Sequence, residues 1–313
     1  MAVPPEQRRR QVLQNLWVPG ALLAGIFVGL VLPCQDDGSR KVSPEYLRLS
    51  SVLGWTYFCA WSVSFYPQIV SNFSRKSVVG LSMDYTMLNL LGFSFYFLFN
   101  AMLFWSPHVQ EEYRQSYDGH GSAVRLNDVL FAGHAALVTA VTLLQIVVYY
   151  DYPPLERFER LLRAIVLAFV VAVVLAAAVL ALVIWAGHEA SLRWLEYLSL
   201  LSATKLAVSI VKYCPQVWMN FRRRSTEGWN IFNVLLDFSG GLLSVLQLVL
   251  DCWAQNDWSK VTGDPVKLLL GSCSMVFDVV FMLQHYCLYP RRARALQTGA
   301  LLGTDNLLQM PGS

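Results

Sequence analysis

The sequence predicts an all-α membrane protein: seven transmembrane helices form two parallel three-helix bundles, and the fourth helix links them. Two observations lead to this fold class, a series of long apolar runs and a pattern that occurs twice along the chain. The composition agrees with it, because 55% of the 313 residues are hydrophobic and only 14% are charged. Soluble domains carry about a quarter charged residues, so this chain is unusually poor in charge.

The apolar runs have about the length, 20 residues, that crosses a bilayer as a helix. They lie at 52–71, 85–105, 127–149, 164–186, 195–220, 231–251 and 266–289. Basic residues concentrate in alternate loops, such as those at 157–163 and 222–224. The positive-inside rule places these loops and the C-terminus in the cytoplasm, and the N-terminal side of the first run on the luminal side. The polar residues of the other loops, including Arg125, Lys260, Lys267, Asp251 and Asp257, are then expected in outer loops.

The N-terminal part, residues 1–50, carries a second kind of apolar segment. Arg8, Arg9 and Arg10 precede a stretch from about Leu16 to Leu32, and this order resembles a signal peptide. The alternative is a signal-anchor helix that remains in the mature chain. Both interpretations place residues 33–50 outside the cytoplasm.

An internal repeat divides the rest of the chain. When Pro67 is set on Pro215, several polar, glycine and proline positions coincide: Gln68 with Gln216, Asn72 with Asn220, Asn89 with Asp237 and Gly92 with Gly240. With a slip of two residues, Asp128 falls on Asp278. We therefore predict repeats at 51–150 and 194–290, a linker with the fourth helix at 151–193 and a cytoplasmic tail at 291–313. One linking helix restores the direction of the chain, so the two repeats run parallel, as in some transporters.

The second repeat contains the clearest candidate site. Lys205, Ser209 and Lys212 lie on one helical face, and Asn233 and Asp237 share a face of the next helix. Charged groups are costly in hydrocarbon, so these faces are expected to line a wet or paired interior. Pro215 is expected to break or kink the first of these helices. The predicted substrate-binding residues are Lys205, Lys212, Tyr213, Asn220, Asn233, Asp237 and Asp278.

Three carboxyl groups lie in or just inside apolar runs, and these are Asp128, Asp237 and Asp278. Burial favours the neutral form of a carboxyl group, so these residues are candidates for proton binding. The alternatives are an acid that is permanently paired with Lys205 or Lys212, and a carboxylate at a helix end that is hydrated from outside. Lys212 could also reach the membrane interface instead of the site.

The two proline elements are candidate hinges for alternating access, because a proline leaves a backbone carbonyl without its helical partner. They are Pro67 with Gln68 and Pro215 with Gln216. Tyr-Pro-Gln at 66–68 and Cys-Pro-Gln at 214–216 resemble the paired motifs of the PQ-loop transporters, which include the sugar carriers of the SWEET type. Further matching stretches, such as Ser-Thr-Glu-Gly-Trp at 225–229 and Val-Phe-Asp-Val-Val-Phe at 276–281, extend the resemblance over roughly residues 50–290.

Within that family the sequence is most similar to members that export L-cystine with protons from the lysosome. The resemblance implies a multi-pass protein of the lysosomal, late endosomal or vacuolar membrane that binds L-cystine, protons and the lipid bilayer. It also implies proton coupling at Asp128 and a role for Lys212 in handling cystine. The sequence predicts no metal, no cofactor and no nucleic-acid partner, and partners of the cytoplasmic loops cannot be named.

The charge asymmetry of the repeats bears on the substrate class. Where the second repeat has Lys205, Lys212, Asn233 and Asp237, the first has Tyr57, Ser64, Tyr85 and Asn89. A neutral sugar needs no such charges, whereas a zwitterionic amino acid does. Transport of another cationic or neutral amino acid is one alternative, and a non-transporting membrane receptor or scaffold is the other. An enzyme is not expected, since no nucleophile motif or glycine-rich nucleotide loop occurs.

Overall fold

The computed structural model describes residues 16–34, 42–78, 83–149, 157–187, 193–224, 226, 231–258, 260–261 and 265–289. In this part of the chain all the regular structure is helical. The α-helices are α1 (Trp17–Val31), α2 (Pro44–Ser64), α3 (Tyr66–Arg75), α4 (Met83–Trp105), α5 (Pro107–Ser116), α6 (Leu126–Val148), α7 (Arg157–Trp185), α8 (Trp194–Arg223), α9 (Ile231–Gln255) and α10 (Pro265–Met282). A π-helical turn, Leu283–Leu288, continues α10.

A helix occurs at each of the seven predicted runs, and six of these helices are long and apolar enough to cross a membrane. Those six are α4, α6, α7, α8, α9 and α10 with its π-helical turn. The first predicted run, 52–71, falls on α2 and α3, which are not among the six. The count of seven membrane-spanning helices is therefore not confirmed, whereas the all-α membrane class is.

The two proline elements differ in structure. In the first repeat Phe65 separates α2 from α3, and Pro67 lies in the first turn of α3, where its missing N–H costs nothing. The backbone N–H of Phe65 donates hydrogen bonds to the carbonyl groups of Ser62 and Val63. In the second repeat α8 is helical from Trp194 to Arg223, through Pro215. The expected break at Pro215 is therefore wrong, and only the alternative of a kink remains. A single missing hydrogen bond can be tolerated inside a long helix that neighbouring helices support.

The two repeats, α2–α6 and α8–α10, pack through reciprocal glycine contacts. A Cβ atom at Gly240 of α9 would lie 2.5 Å from Cδ1 of Trp61 on α2. A Cβ atom at Gly92 of α4 would lie 3.0 Å from Cδ of Lys205 on α8. Gly92 and Gly240 are equivalent positions of the repeats, so each repeat offers a glycine to a large side chain of the other. This interface brings the polar residues of both repeats together.

The third helices of the repeats have a different register from the predicted one. Gln145 on α6 and Gln284 after α10 make the same contacts, each with an asparagine and a backbone carbonyl of the first helical segment of its own repeat. Setting Gln145 on Gln284 places Lys267, and not Asp278, on Asp128. The structure agrees, because Asp128 and Lys267 lie in the first turns of α6 and α10, whereas Asp278 lies only four residues before the end of α10.

The apolar N-terminal segment forms α1, which packs against α2 in the opposite direction. Gly25 and Gly29 are buried in this contact. A Cβ atom at Gly25 would overlap the backbone of Thr56, and one at Gly29 would lie 2.5 Å from the Cα of Val52. The side chain of Arg48 donates hydrogen bonds to carbonyl groups at the end of α1, among them Leu30 at 2.9 Å. Small residues spaced four apart commonly allow such close approach of helices in membranes.

We expect Gly25→Ala to destabilise the protein by about 1–3 kcal/mol, because the new methyl group would force α1 away from α2. Thermal unfolding in detergent micelles measures this effect. Gly20→Ala is the matched control, since a Cβ atom at Gly20 meets nothing within 4 Å. Alanine favours a helix over glycine, so the control is expected to leave stability unchanged or slightly increased. Equal effects of the two substitutions would contradict the packing of α1.

Candidate functional site

Polar side chains accumulate at one end of the helical bundle, where α9 ends and α6 and α10 begin. We call this the Asp251 end, and the opposite end, where α3 and the end of α8 lie, the PQ end. Several charged residues expected in outer loops are instead buried here. Asp251, Lys260 and Lys267 are less than 5% exposed, and the Arg125 side chain is 13% exposed. They belong to a packed polar interior and not to solvated loops.

The first cluster of this interior surrounds Asp128, which is 4% exposed. The Lys267 ammonium group lies 2.8 Å from Asp128 Oδ2, and the backbone N–H of Arg125 donates to the same oxygen at 2.9 Å. The hydroxyl of Tyr57 donates to Asp128 Oδ1, and the Asn127 amide donates to that hydroxyl. The carboxylate thus has an ion-pair partner and hydrogen-bond donors on both oxygens, as a buried charge requires.

The Asp128–Lys267 pair joins the two repeats. Asp128 belongs to α6 of the first repeat, and Lys267 belongs to α10 of the second. Asp128 is thus paired with a lysine, as one alternative predicts. The partner is Lys267, which the sequence predicts in an outer loop, and not Lys205 or Lys212. Loss of the charge on either partner would remove an attraction that holds α6 and α10 together.

The second cluster surrounds Asp237 on α9. The Tyr213 hydroxyl donates to Asp237 Oδ2 at 3.0 Å, and the Trp61 indole N–H donates to the Asp237 backbone carbonyl at 3.1 Å. Asp278 is 1% exposed and directly follows Phe277 on α10. The Tyr213 ring stacks on Phe277, with ring centroids 4.8 Å apart. Three predicted site residues, Tyr213, Asp237 and Asp278, therefore come together on α8, α9 and α10.

A row of aromatic rings lies between the two clusters. Tyr57 contacts Trp61, Trp61 contacts Phe131, and Phe131 contacts Phe93, with ring centroids 4.9–6.1 Å apart. The ammonium group of Lys205 lies 3.5 Å from the centroid of the Phe93 ring, and Lys205 is 4% exposed. Cation–π contact with an aromatic ring stabilises a buried lysine. Lys205 is thus buried at the repeat interface, and its predicted role as a carboxylate ligand stays a prediction.

Asn233 lies one turn before Asp237 on α9. Its side-chain oxygen is buried and has no hydrogen-bond partner among the residues that the structure describes. Such orphaned polar atoms are rare in native proteins and call for a partner of some kind. The side chains of Lys212, Pro215 and Gln216 lie outside the described part of the structure.

Amide side chains fasten the PQ end of each repeat in the same way. Asn72 donates to Gln145 at 3.0 Å, and Gln145 donates to the Ile69 carbonyl at 3.1 Å. Asn220 donates to Gln284 at 3.0 Å, and Gln284 donates to the Val217 carbonyl at 3.1 Å. In the first repeat Gln68 also donates to Asn72 at 2.8 Å. The four bonds that involve Gln145 and Gln284 stay within a repeat: they connect α3 with α6 in the first repeat and α8 with the π-helical turn after α10 in the second. Asn220 is accordingly part of a structural bond, and a contact of Asn220 with substrate stays a prediction.

The sequence reasoning missed Tyr57, Lys267, Gln247 and Asp251 as members of the polar interior. The repeat pattern relates Tyr57 to Lys205 as its counterpart and does not indicate a contact with Asp128. A signal for the α9 residues existed, because polar residues recur along this apolar helix at helical spacing: Asp237, Ser244, Gln247, Asp251 and Gln255. For Lys267 the signal was its position in the first turn of an apolar helix, as for Asp128.

Comparison with known proteins agrees with this architecture. The PQ loop repeat family matches residues 49–109 and 197–257, which contain the first and second helices of each repeat. Cystinosin from Bos taurus is 44% identical over 78% of this chain and 64% of its own length. The cystinosin homolog from Arabidopsis thaliana is 41% identical over 79% of this chain and 89% of its own. The cystine transporter from Saccharomyces cerevisiae is 28% identical over 77% of this chain and 94% of its own.

Six apolar helices long enough to span a bilayer, two matched repeats and a charged interior define a multi-pass membrane protein of the PQ-loop class. Within that class, the chain belongs to the cystinosin family. It spans 64% of the length of bovine cystinosin.

Lys267→Met is expected to lower the free energy of unfolding by about 3–5 kcal/mol, because the substitution leaves the Asp128 carboxylate buried without its ion-pair partner. Adding Asp128→Asn to Lys267→Met should recover most of the loss, since no uncompensated charge then remains. Unfolding in mixed micelles of increasing denaturing detergent measures both values.

The matched control is Arg114→Met, which removes the arginine of the Arg114–Glu111 ion pair on α5. Both side chains of that pair are about half exposed, at 47% and 55%. We expect a change below about 1 kcal/mol, as for other surface pairs. Additive effects of Lys267→Met and Asp128→Asn would contradict the assignment of the pair.

Proposed function

We propose that this protein is a proton-coupled symporter that carries L-cystine from an acidic compartment into the cytoplasm by alternating access. The observation that carries the proposal is the buried Asp128–Lys267 ion pair between the repeats. An ionisable pair in the interior of a membrane protein is costly, and such pairs commonly mark ion or proton pathways. The name of the yeast relative, a cystine transporter, supports the choice of substrate.

Proton coupling follows from the electrostatics of that pair. When a proton from the acidic compartment binds the Asp128 carboxylate, the carboxyl group becomes neutral and its Coulomb attraction to Lys267 is lost. The contact between α6 and α10 weakens, and the Asp251 end can open. The Asp251 end then closes around the bound proton and substrate, the PQ end opens, and the proton leaves toward the cytoplasm. The Asp128–Lys267 pair forms again and keeps the Asp251 end closed during release. The proton gradient thereby sets the direction of transport.

Substrate binding is assigned to the second cluster. Cystine carries two ammonium and two carboxylate groups, so it needs ligands of both signs. Asp237 and Asp278 would accept hydrogen bonds from an ammonium group, and they are the other candidate proton sites. Lys205 and Lys212 would pair with a carboxylate. The orphaned amide oxygen of Asn233 would accept a further N–H, and the hydroxyl of Tyr213 holds Asp237 in position for these contacts.

Alternating access requires that the repeats separate at one end while they stay joined at the other. The amide bonds at the PQ end lie within each repeat, so the PQ end of each bundle can move as a unit. The interruption at Phe65 and the proline elements of both repeats are the proposed hinges. We assign the Asp251 end to the lumen and the PQ end to the cytoplasm, in accordance with the basic residues near the PQ end. The compartment is proposed to be the lysosome, late endosome or vacuole.

The test is uptake of labelled cystine into vesicles that carry the protein, with the side that holds the Asp251 end at acidic and then at neutral pH. The parent is expected to transport cystine faster at acidic pH. Asp128→Asn should lose the acid stimulation, because its side chain cannot exchange a proton. Asp237→Asn should lose cystine transport itself, because an ammonium ligand is removed.

Glu111→Gln is the control, since it neutralises an exposed carboxylate of α5 outside the polar interior. It should transport cystine like the parent. Flux that is independent of pH would contradict proton coupling, and better transport of another amino acid would replace the substrate. If a folded and correctly oriented protein moved no amino acid at all, the receptor or scaffold function would take the place of transport.

A further inference from the structure

A second ion pair, between Arg125 and Asp251, joins the repeats at the Asp251 end. Arg125 Nε lies 2.7 Å from Asp251 Oδ2, and their side chains are 13% and 3% exposed. Arg125 lies directly before α6 of the first repeat, whereas Asp251 lies near the end of α9 of the second. The other oxygen of Asp251 accepts hydrogen bonds from Tyr46 and Ser50 of α2, both at 2.8 Å. One carboxylate of the second repeat thus holds two separate segments of the first.

We propose that the Arg125–Asp251 ion pair is a gate contact: it closes the Asp251 end in this conformation and separates when that end opens. The inference rests on the alternating-access transport proposed above and adds a step to it. Arg125 and Asp251 are positioning residues in this step, since neither is assigned to substrate or proton binding.

The composition of the contact suits a reversible closure. A buried ion pair contributes little net stability, because the cost of removing both charges from water offsets most of their attraction. When the end opens, water can hydrate both groups, and the hydration free energy that was lost on burial is regained. If apolar side chains filled the same area, each opening would expose apolar surface to water, and this exposure would oppose opening. The pair can therefore specify the closed arrangement without making its opening prohibitive.

The gate contact is also connected to the proposed proton site. The backbone N–H of Arg125 donates to Asp128 Oδ2, the oxygen that Lys267 holds. Gln247, which is fully buried, continues the connection on the other side: it donates to the Ser50 carbonyl at 2.8 Å and accepts from Lys267 at 3.5 Å. A displacement of Asp128 from Lys267 would therefore displace Arg125 from Asp251, and opening would follow protonation.

A third inter-repeat contact lies at the same end. His120, which follows α5 of the first repeat, lies 2.9 Å from the carboxylate of Asp257, which follows α9 of the second. Among the residues that the structure describes, the two ion pairs that join the repeats, Arg125–Asp251 and Asp128–Lys267, thus lie at the Asp251 end together with this histidine contact. Arg125–Asp251 is the pair that engages α2, α6 and α9 at once.

The test measures the opening of the Asp251 end directly. Spin labels at Gln115 and Trp258, which are exposed and belong to different repeats, report the distance across this end by pulsed electron paramagnetic resonance. The labelled cysteines are introduced into a background whose six native cysteines are replaced. The protein is reconstituted in lipid nanodiscs, and the pH is kept constant.

Asp251→Asn and Arg125→Gln should each raise the ratio of open to closed molecules by about tenfold or more, because each leaves the other charge buried in the closed form only. The double variant Arg125→Gln with Asp251→Asn should shift the ratio less than either single variant, since no charge then remains. The control Arg114→Gln, in an exposed pair within α5, should leave the distances unchanged.

Unchanged distances in both folded single variants would overturn the proposal, and so would additive shifts in the double variant. If Asp251→Asn does not fold, the comparison of Arg125→Gln with the double variant decides the same question. The distances are measured without substrate. If the ratio of open to closed molecules shifts as predicted but the protein carries no cystine, the proposed transport is contradicted and the gate contact is supported.

Discussion

The charges between the two repeats impose the main constraint on this structure. An isolated charge in the interior of a membrane protein costs several kcal/mol, so each buried acid or base must find a partner. Asp128 finds Lys267, and Asp251 finds Arg125, in both cases across the boundary between the repeats. The ion pairs that compensate these charges also hold one end of the bundle closed, because both lie at the Asp251 end. Any event that neutralises a partner, such as proton binding, therefore changes the contact between the repeats.

The helices and the repeat could be predicted from the sequence because both depend on strong local signals. Long apolar runs locate the helices, and the matching Pro-Gln, asparagine and glycine positions locate the repeats. Gly92 and Gly240 were aligned correctly, and the structure shows why both are glycines: each receives a side chain of the other repeat. Tyr213, Asp237 and Asp278 lie near one another in the structure, since polar residues on apolar helices share faces that must meet, and their role in binding substrate stays a prediction.

The pairing of the charges could not be predicted, because it depends on register between helices that apolar sequence leaves open. The sequence pattern aligns Asp128 with Asp278. The equivalent amide bonds of Gln145 and Gln284 show instead that Lys267 is the counterpart of Asp128 in the second repeat. Asp251 and Lys267 lie at the ends of the predicted runs 231–251 and 266–289, and the signals that indicate their burial do not show which residue each one contacts. The continuous helix through Pro215 likewise results from packing around α8, which the sequence alone does not reveal.

The repeats thus share a scaffold and differ in charge. Both repeats have the amide bonds at the PQ end and a glycine that receives a side chain of the other repeat, whereas the counterpart of Asp237 is Asn89 and the counterpart of Lys205 is Tyr57. In the proposed transport cycle, the elements that the repeats share would move them against each other, and the charges that differ would select the substrate. Protonation of Asp128 is the central event in this account, and infrared difference spectroscopy of the reconstituted protein tests it most directly. Acidification of the parent should produce a protonated carboxyl band that is absent in Asp128→Asn, and a band that persists unchanged in that variant would contradict the account.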